Sequence, residues 1–399
     1  MRKNCEKFGV SLAKKAKLCY NIKRGKKPPK KRKGNVTMNG TTLNFHYDFL
    51  TSYVLTDPEF FTKKVPFMKA AGVRTVWLDN YIYGEWQNTP EEASRAKAML
   101  EAEGFEVQAI CVPLGHGSNA LNGDEADPTL PAAWQNRVGA DGNRQGTTTC
   151  VDEVVFDNYR KALKIHKEIG FTQIFHDDDL RMGSWGPHLQ GCYCDRCLAR
   201  FYKQYPQFDG MSRGDILRLG TPGSEVRDAW ETVQCESVIR FLTETTPEGM
   251  TPGIMVMHNG DRRHGLDILG IKKAFPNALF RVGECQFSDA SFLHPLGRPA
   301  LERSVRKHLA LIGSVENAFS ETTTYPVGAL SPANFVEKIR WEIGCGLRNI
   351  YLMSGNVFLP DPYWEAVIAA RDELEYLAAS TPLPVLDGTP LDEDFIWHG

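Results

Sequence analysis

Apolar and polar positions along this chain alternate between two periods. Short strand-like runs are followed by longer stretches whose apolar residues recur every three or four positions. "TTLNFHYDFLT" (41–51) reads as a first strand. "TDPEFFTKKVPFMKAAG" (56–72) reads as a helix, with Asp57 as N-cap, Pro58 at the first helical position and Gly72 as the stop. Phe61, Val65 and Met68 then share one face. "VRTVWLDNYIYG" is the second strand, and "TPEEASRAKAMLEAEG" a helix opened by a Thr89–Pro90–Glu92 capping-box signature. "FEVQAICVPLG" is the third strand. The polar stretch from Gly115 to Cys150 reads as one long loop, a length usually kept for function.

In "VFDNYRKALKIHKEIG" the positions Val155, Tyr159, Ala162, His166 and Ile169 fall near one helical face, so His166 reads as a packed histidine rather than a ligand. "FTQIFHD" is strand four. Later strands are "GIMVMHNG", "ALFRVGECQF", "SVENAFSET" and "LRNIYLMSG". Before the last lies the helix "SPANFVEKIRWEIGCG", with Ser331 as N-cap, Pro332 at N1 and a stripe of Phe335, Ile339 and Ile343. Eight strands, most followed by a helix, predict an α/β fold of the TIM-barrel kind, (β/α)8, over residues 39–380. A doubly wound open sheet competes, but no glycine-rich phosphate loop follows the first strand.

Composition adds boundaries to this picture. The 399 residues are 42% hydrophobic and 24% charged, ordinary for a globular chain, and no apolar run has the length of a membrane span. The net charge of −2 conceals a basic leader: residues 1–33 hold 14 Lys/Arg and the single acid Glu6. Such a tract can bind nucleic acid or an anionic surface, but its ordinary reading is a solvated extension (1–38), so nucleic acid is not an expected partner. Residues 381–399, after the Pro-rich "STPLPVLDGTP", read as a linker and the stub of a following segment. The ten cysteines are too sparse for a disulfide scaffold, which points to a reducing, cytoplasmic setting. The oligomeric state, monomer or homo-oligomer, is not legible.

Catalytic groups in such barrels sit at the C-terminal strand ends. The strands offer there, in order, His46 and Asp48; Asp79, Asn80 and Tyr81; His116; His176 with Asp177, Asp178 and Asp179; His258, Asn259 and Asp261; Glu284 and Gln286; Glu316 and Glu321; and Asn356. This ring is rich in carboxylates. Glycoside hydrolysis needs two, one to protonate the departing oxygen and one to attack the anomeric carbon or activate water. Strands four and seven face each other across an eight-stranded barrel, and they supply Asp177–Asp179 and Glu321. Crowding the aspartates raises the pKa of at least one, which suits a general acid. Aromatic residues near strand ends (Trp77, Tyr81, Tyr83, Trp86 and above all Trp185) could face pyranose rings.

Cys192, Cys194 and Cys197 are spaced too tightly for disulfides and suit metal ligation. A structural zinc needs a fourth ligand. Cys150 is the first choice, with Cys111 or His188 as alternatives. The order "CVDEVVFDNYRKAL", "FTQIFHDDDLR", "GCYCDRCLARFYKQY" resembles family 42 β-galactosidases and related clan A glycoside hydrolases. The resemblance implies a retaining β-glycosidase acting on a carbohydrate. Its acid/base would be Asp178, with Asp177 beside it, and its nucleophile Glu321. Zinc would be structural, on Cys150, Cys192, Cys194 and Cys197. The substrate side of the mouth is expected to include His46, Asp79, Asp179, Trp185, His258 and Glu284. One departure matters: the family usually carries Asn-Glu where this chain has Asp177-Asp178, a shorter acid. Two other readings compete. One is a metal-dependent barrel, a sugar isomerase or hydrolase using His46, His176, His258, Glu284 and the aspartates. The other is a catalytically silent carbohydrate-binding barrel.

Overall fold

The computed structural model describes residues 42–114, 130–177, 180–182, 189–256, 262–355, 357–384 and 386. Eight parallel strands form the sheet: β1 Asn44–Leu50, β2 Val73–Ile82, β3 Glu106–Val112, β4 Gln173–His176, β5 Thr251–Val256, β6 Leu279–Val282, β7 Ala318–Phe319 and β8 Asn349–Met353. β1 pairs with β2 on one side (Tyr47 opposite Val76) and with β8 on the other (Phe45 opposite Ile350), so the sheet closes on itself. Closure rules out the open doubly wound sheet and establishes the TIM barrel.

Side-chain alternation along each strand sorts residues into two layers. Outward residues of β1, such as Phe45, Tyr47 and Phe49, join the main apolar core beneath the helices. Inward residues fill the barrel with Trp77, Ile110, Phe175, Leu279, Phe319, Tyr351 and Met353. Their rings touch edge to face: Trp77 and Phe175 lie 4.6 Å apart, Phe175 and Phe319 5.2 Å. β5 makes room for this layer with Gly253, where a Cβ would stand 2.4 Å from the Phe175 ring.

The local signals mostly hold. Thr89 and Glu92 form a capping box at the helix Pro90–Ala102. Gly72, Gly170 and Gly346 end their helices in the left-handed region that glycine enters at little cost. Three expectations change. The helix read from Asp57 is preceded by a short one, Thr51–Thr56, and opens with a π turn at Phe60–Lys64. The long loop after β3 contains a hairpin, Asn136–Val138 with Arg144–Thr149. Ser331 holds the N-cap position before Pro332 as read, but its hydroxyl makes no capping bond and donates to Asp289 Oδ1 at 3.0 Å. No helix among the described residues is long and apolar enough to cross a membrane.

Between β4 and β5 the chain builds a satellite core. The helix Asp195–Gln204 packs Phe201 against Trp230 of the helix Glu225–Thr245, and Tyr193 stacks on Trp230 at 4.5 Å. The knuckle residues Cys192, Cys194 and Cys197 alternate with this core in sequence but pack into the main one.

Candidate active site and cysteine centre

Inward residues at the C-terminal end of the barrel change from apolar to charged. Two positions past Phe175 stands Asp177, and the β6 residue Arg281 makes an ion pair with it through Nη2. Arg281 is 1% exposed, and its guanidinium lies 5.3 Å from the Tyr351 ring. Burial works against its charge, but Asp177, Tyr351, Glu321 and Asp48 outweigh burial and hold it above the usual guanidinium pKa. Asp48 on β1 faces the same group. Burial pushes its carboxyl up to about 7, with Arg281 pulling it down and Asp177 pushing it further up. The residue keeps an edge toward solvent, while Oδ1 is enclosed and has no hydrogen-bond partner. Arg281 Nη1 and the Tyr351 hydroxyl are enclosed and unmatched as well. Asp79, buried on β2, adds a third carboxylate that acts on Tyr351.

Glu321 sits where strand seven is interrupted. The ladder runs through Ala318–Phe319 and resumes at Thr322–Thr323 against Leu352 and Met353. Between them the Glu321 amide donates to Glu284 Oε1 at 3.0 Å. Reciprocally, the Glu284 amide donates to Glu321 Oε2 at 3.2 Å. Lys338, on the helix Pro332–Cys345, is fully buried beneath this pair. Its Nζ donates to the Glu321 carbonyl at 2.7 Å and the Cys285 carbonyl at 2.8 Å. It also stands 3.6 Å from Glu284 Oε2 and 4.0 Å from Glu342 Oε1. Burial and the neighbouring Glu342 hold the Glu284 carboxyl well above its ordinary pKa. Immediately after Glu284, Cys285 and Gln286 both take positive φ, 57° and 63°. Two consecutive non-glycine residues in the left-handed region are costly and concentrate at functional sites.

Several expected site residues stand elsewhere. His46 lies deeper in the barrel, 3.4 Å from Asn349 Oδ1 and stacked on Tyr351; burial lowers its pKa to about 4. Glu284 has a fully buried side chain and holds Glu321 from below. Glu316 precedes β7, at the opposite end of the barrel, accepting a bond from Ser314. Trp77 is barrel core, Tyr81 is buried, and Trp86 stacks on His166, which bonds Asn80 at 2.9 Å. His176 pairs with Cys111 at 3.3 Å. Asp178, Asp179, Trp185, His258, His116, His188, Asn259, Asp261 and Asn356 lie outside the described residues. Sequence reasoning missed Arg281 and Lys338. A cation amid the apolar run "ALFRVG", and another on a helix's core face, were the available signals.

The second centre is compact. Cys150, at the exit of the hairpin, meets Cys192, Cys194 and Cys197 with all four sulfurs within 4.8 Å of one another and all four residues buried. Cys150 Sγ stands 3.6 Å from Cys194 Sγ and 3.5 Å from Cys197 Sγ. Those separations are too long for disulfides. They approach the sulfur–sulfur edge of roughly 3.8 Å that a tetrahedron with ~2.3 Å metal–sulfur bonds requires. The thiols act on one another: hydrogen bonds from its neighbours pull Cys194 below its ordinary value, while Cys150 and Cys197 are pushed above theirs. The four residues therefore fit a metal ion. Cys111, bonded to His176 instead, is not part of the group. Among the described residues no other cluster of this kind occurs.

No family model and no curated protein sequence matches the chain. Solved structures do. A β-galactosidase from Rahnella sp. R3 superposes with TM-score 0.55 at 13% identity, covering 86% of this chain and 56% of the other. A family 42 β-galactosidase from G. stearothermophilus gives 0.56 at 14%, covering 86% and 58%. The catalytic domain of a β-amylase from Paenibacillus polymyxa gives 0.54 at 13%, covering 86% and 100%. The chain thus spans a little over half the length of the β-galactosidases and the whole of the amylase domain. Its barrel has the fold of clan A-like glycosidases. At this identity the likeness concerns the fold, and neighbours named for different sugars do not select one.

Proposed function

We propose that the chain is a retaining β-glycosidase. The observation that carries this reading is the pairing at the barrel mouth. A Glu321 carboxylate is fixed by a backbone amide where strand seven breaks, and Arg281, which pairs with Asp177 at the end of strand four, feels the charge of Glu321 as well, in a fold shared with named glycosidases. Glu321 attacks the anomeric carbon while Asp178 gives its proton to the departing oxygen. Water then displaces Glu321, with Asp178 taking the water's proton. Arg281 keeps positive charge beside Glu321 and Asp177. With Asp177 engaged by Arg281, the donor falls to its neighbour. Sugar binding is assigned to Asp79, Asp179, Trp185 and His258, with the buried His46 and Glu284 in support.

Cys150, Cys192, Cys194 and Cys197 hold zinc, which cross-links the hairpin to the knuckle and takes no part in bond cleavage. A reducing, cytoplasmic setting keeps these thiols available. The test is hydrolysis of a panel of aryl α- and β-glycosides by the intact chain and by Glu321→Gln. Activity on a β-glycoside that falls at least ~10³-fold in the variant supports the assignment. Equal rates would remove Glu321 from the chemistry.

A further inference from the structure

Arg137 is the first residue the cysteine centre leaves unexplained. It lies on the hairpin strand Asn136–Val138 and is 0% exposed. Its Nε donates to the Thr149 carbonyl at 3.2 Å, just before Cys150. Its Nη2 donates to the Arg181 carbonyl at 2.5 Å, a few residues past Asp178. Both acceptors are neutral, and Nη1 has no partner. A buried guanidinium without a counter-charge is among the costliest arrangements a fold can hold. No described carboxylate pairs with Arg137. The residues flanking Arg137 are bonded to both cysteine segments: the Cys150 amide donates to the Gln135 carbonyl and the Tyr193 amide to the Val138 carbonyl, each at 2.8 Å. The sulfurs of Cys192, Cys150 and Cys197 favour its charge, against burial and Arg181.

We propose that Arg137 is the built-in counter-charge of a metal–tetrathiolate centre and ties that centre to the backbone leaving strand four. This rests on the metal reading given above. Four neutral thiols would leave Arg137 uncompensated. Four thiolates around a divalent ion carry a net charge of −2, which a buried cation offsets. Arg200, whose Nη2 lies 3.8 Å from Cys197 Sγ, supplies a second. Arg137 is thus a positioning residue: it touches no substrate, acts on the thiolates, and holds the Arg181 carbonyl with the same fork.

The full-length chain, loaded with zinc under reducing conditions, is challenged with a colorimetric chelator, and zinc release is timed for the parent, Arg137→Gln and Arg137→Lys. Loss of a partner behind the ligands typically weakens metal binding about 10–100-fold. Arg137→Gln should therefore release zinc at least ~10-fold faster, and Arg137→Lys, which keeps the charge, should restore most of the difference. Release from Arg137→Gln within twofold of the parent overturns the proposal while leaving the metal centre standing. Should the Gln variant fail to fold, Arg137→Lys decides: zinc retained near the parent's rate supports the counter-charge, and rapid loss overturns it. A parent with four reactive thiols that binds no added zinc overturns the metal reading and this inference together.

Discussion

Replacing Asp48 by Asn should make the protein more stable and less active, by an amount that depends on pH. The Asp48 carboxyl is pushed from 3.8 in the unfolded chain to about 7 in the fold. A folded pKa above the unfolded one means that stability is fully present at pH below 3.8 and is lost as pH rises toward 7. At 1.36 kcal/mol per pH unit the full loss is about 4 kcal/mol, reached above pH 7. At pH 5 only about 1.6 kcal/mol of it has accrued. Asn has nearly the same shape and no charge to bury, so its advantage over Asp should grow by about 3 kcal/mol between pH 5 and pH 8. Comparing the two proteins cancels the buried histidines His46, His166, His176 and His308, whose lowered values tilt stability in the opposite sense. Urea unfolding at pH 5 and pH 8 reads the difference, and glycosidase assays on the same samples read the cost. A pH-independent difference, or an Asn variant destabilised equally at both values, would refute the argument. A functional carboxylate kept at the expense of stability is the expected signature of a working site.

Three other substitutions probe the same region. Lys338→Met removes the cation from between Glu284 and Glu342 and should cost about 3–5 kcal/mol in chemical denaturation, because two buried carboxyls lose their only close ammonium. Arg281→Gln removes the cation that pulls the Asp48 carboxyl down and should move its titration further up from about 7; an unmoved titration, read by NMR, would count against Arg281 facing Asp48. Gly253→Ala drives a Cβ into the Phe175 ring and should cost about 1–3 kcal/mol, with much of it recovered in the double variant carrying Phe175→Leu.

What the sequence disclosed, and what it withheld, follows from the range of the interactions. The capping box at Thr89–Glu92 and the glycine stops at Gly72, Gly170 and Gly346 are written within a few residues, so the chain announces them. The knuckle is equally local, and Cys150 could be assigned because it stands just before the helix leading to strand four. Ser331 marks its helix start as read, but its hydroxyl is claimed by Asp289, 42 positions away, which no local pattern announces. The Arg281–Asp177 pair spans 104 positions, and the Glu284–Glu321 exchange 37. Neither has a motif. Strand seven reads as one run, yet the ladder breaks at Glu321, because its amide bonds the Glu284 side chain, two residues past the end of β6. Trp77 offers an aromatic face that suggests a sugar platform, but alternation turns it into the barrel core.

The most direct test of the account is covalent labelling. The intact chain is incubated with a β-glycoside activated for fast attack and slowed in turnover, then digested and weighed peptide by peptide. The account predicts a mass increase of one glycosyl group on the peptide carrying Glu321, absent from Glu321→Gln. A label on another carboxylate, or steady hydrolysis without a labelled intermediate, would contradict it.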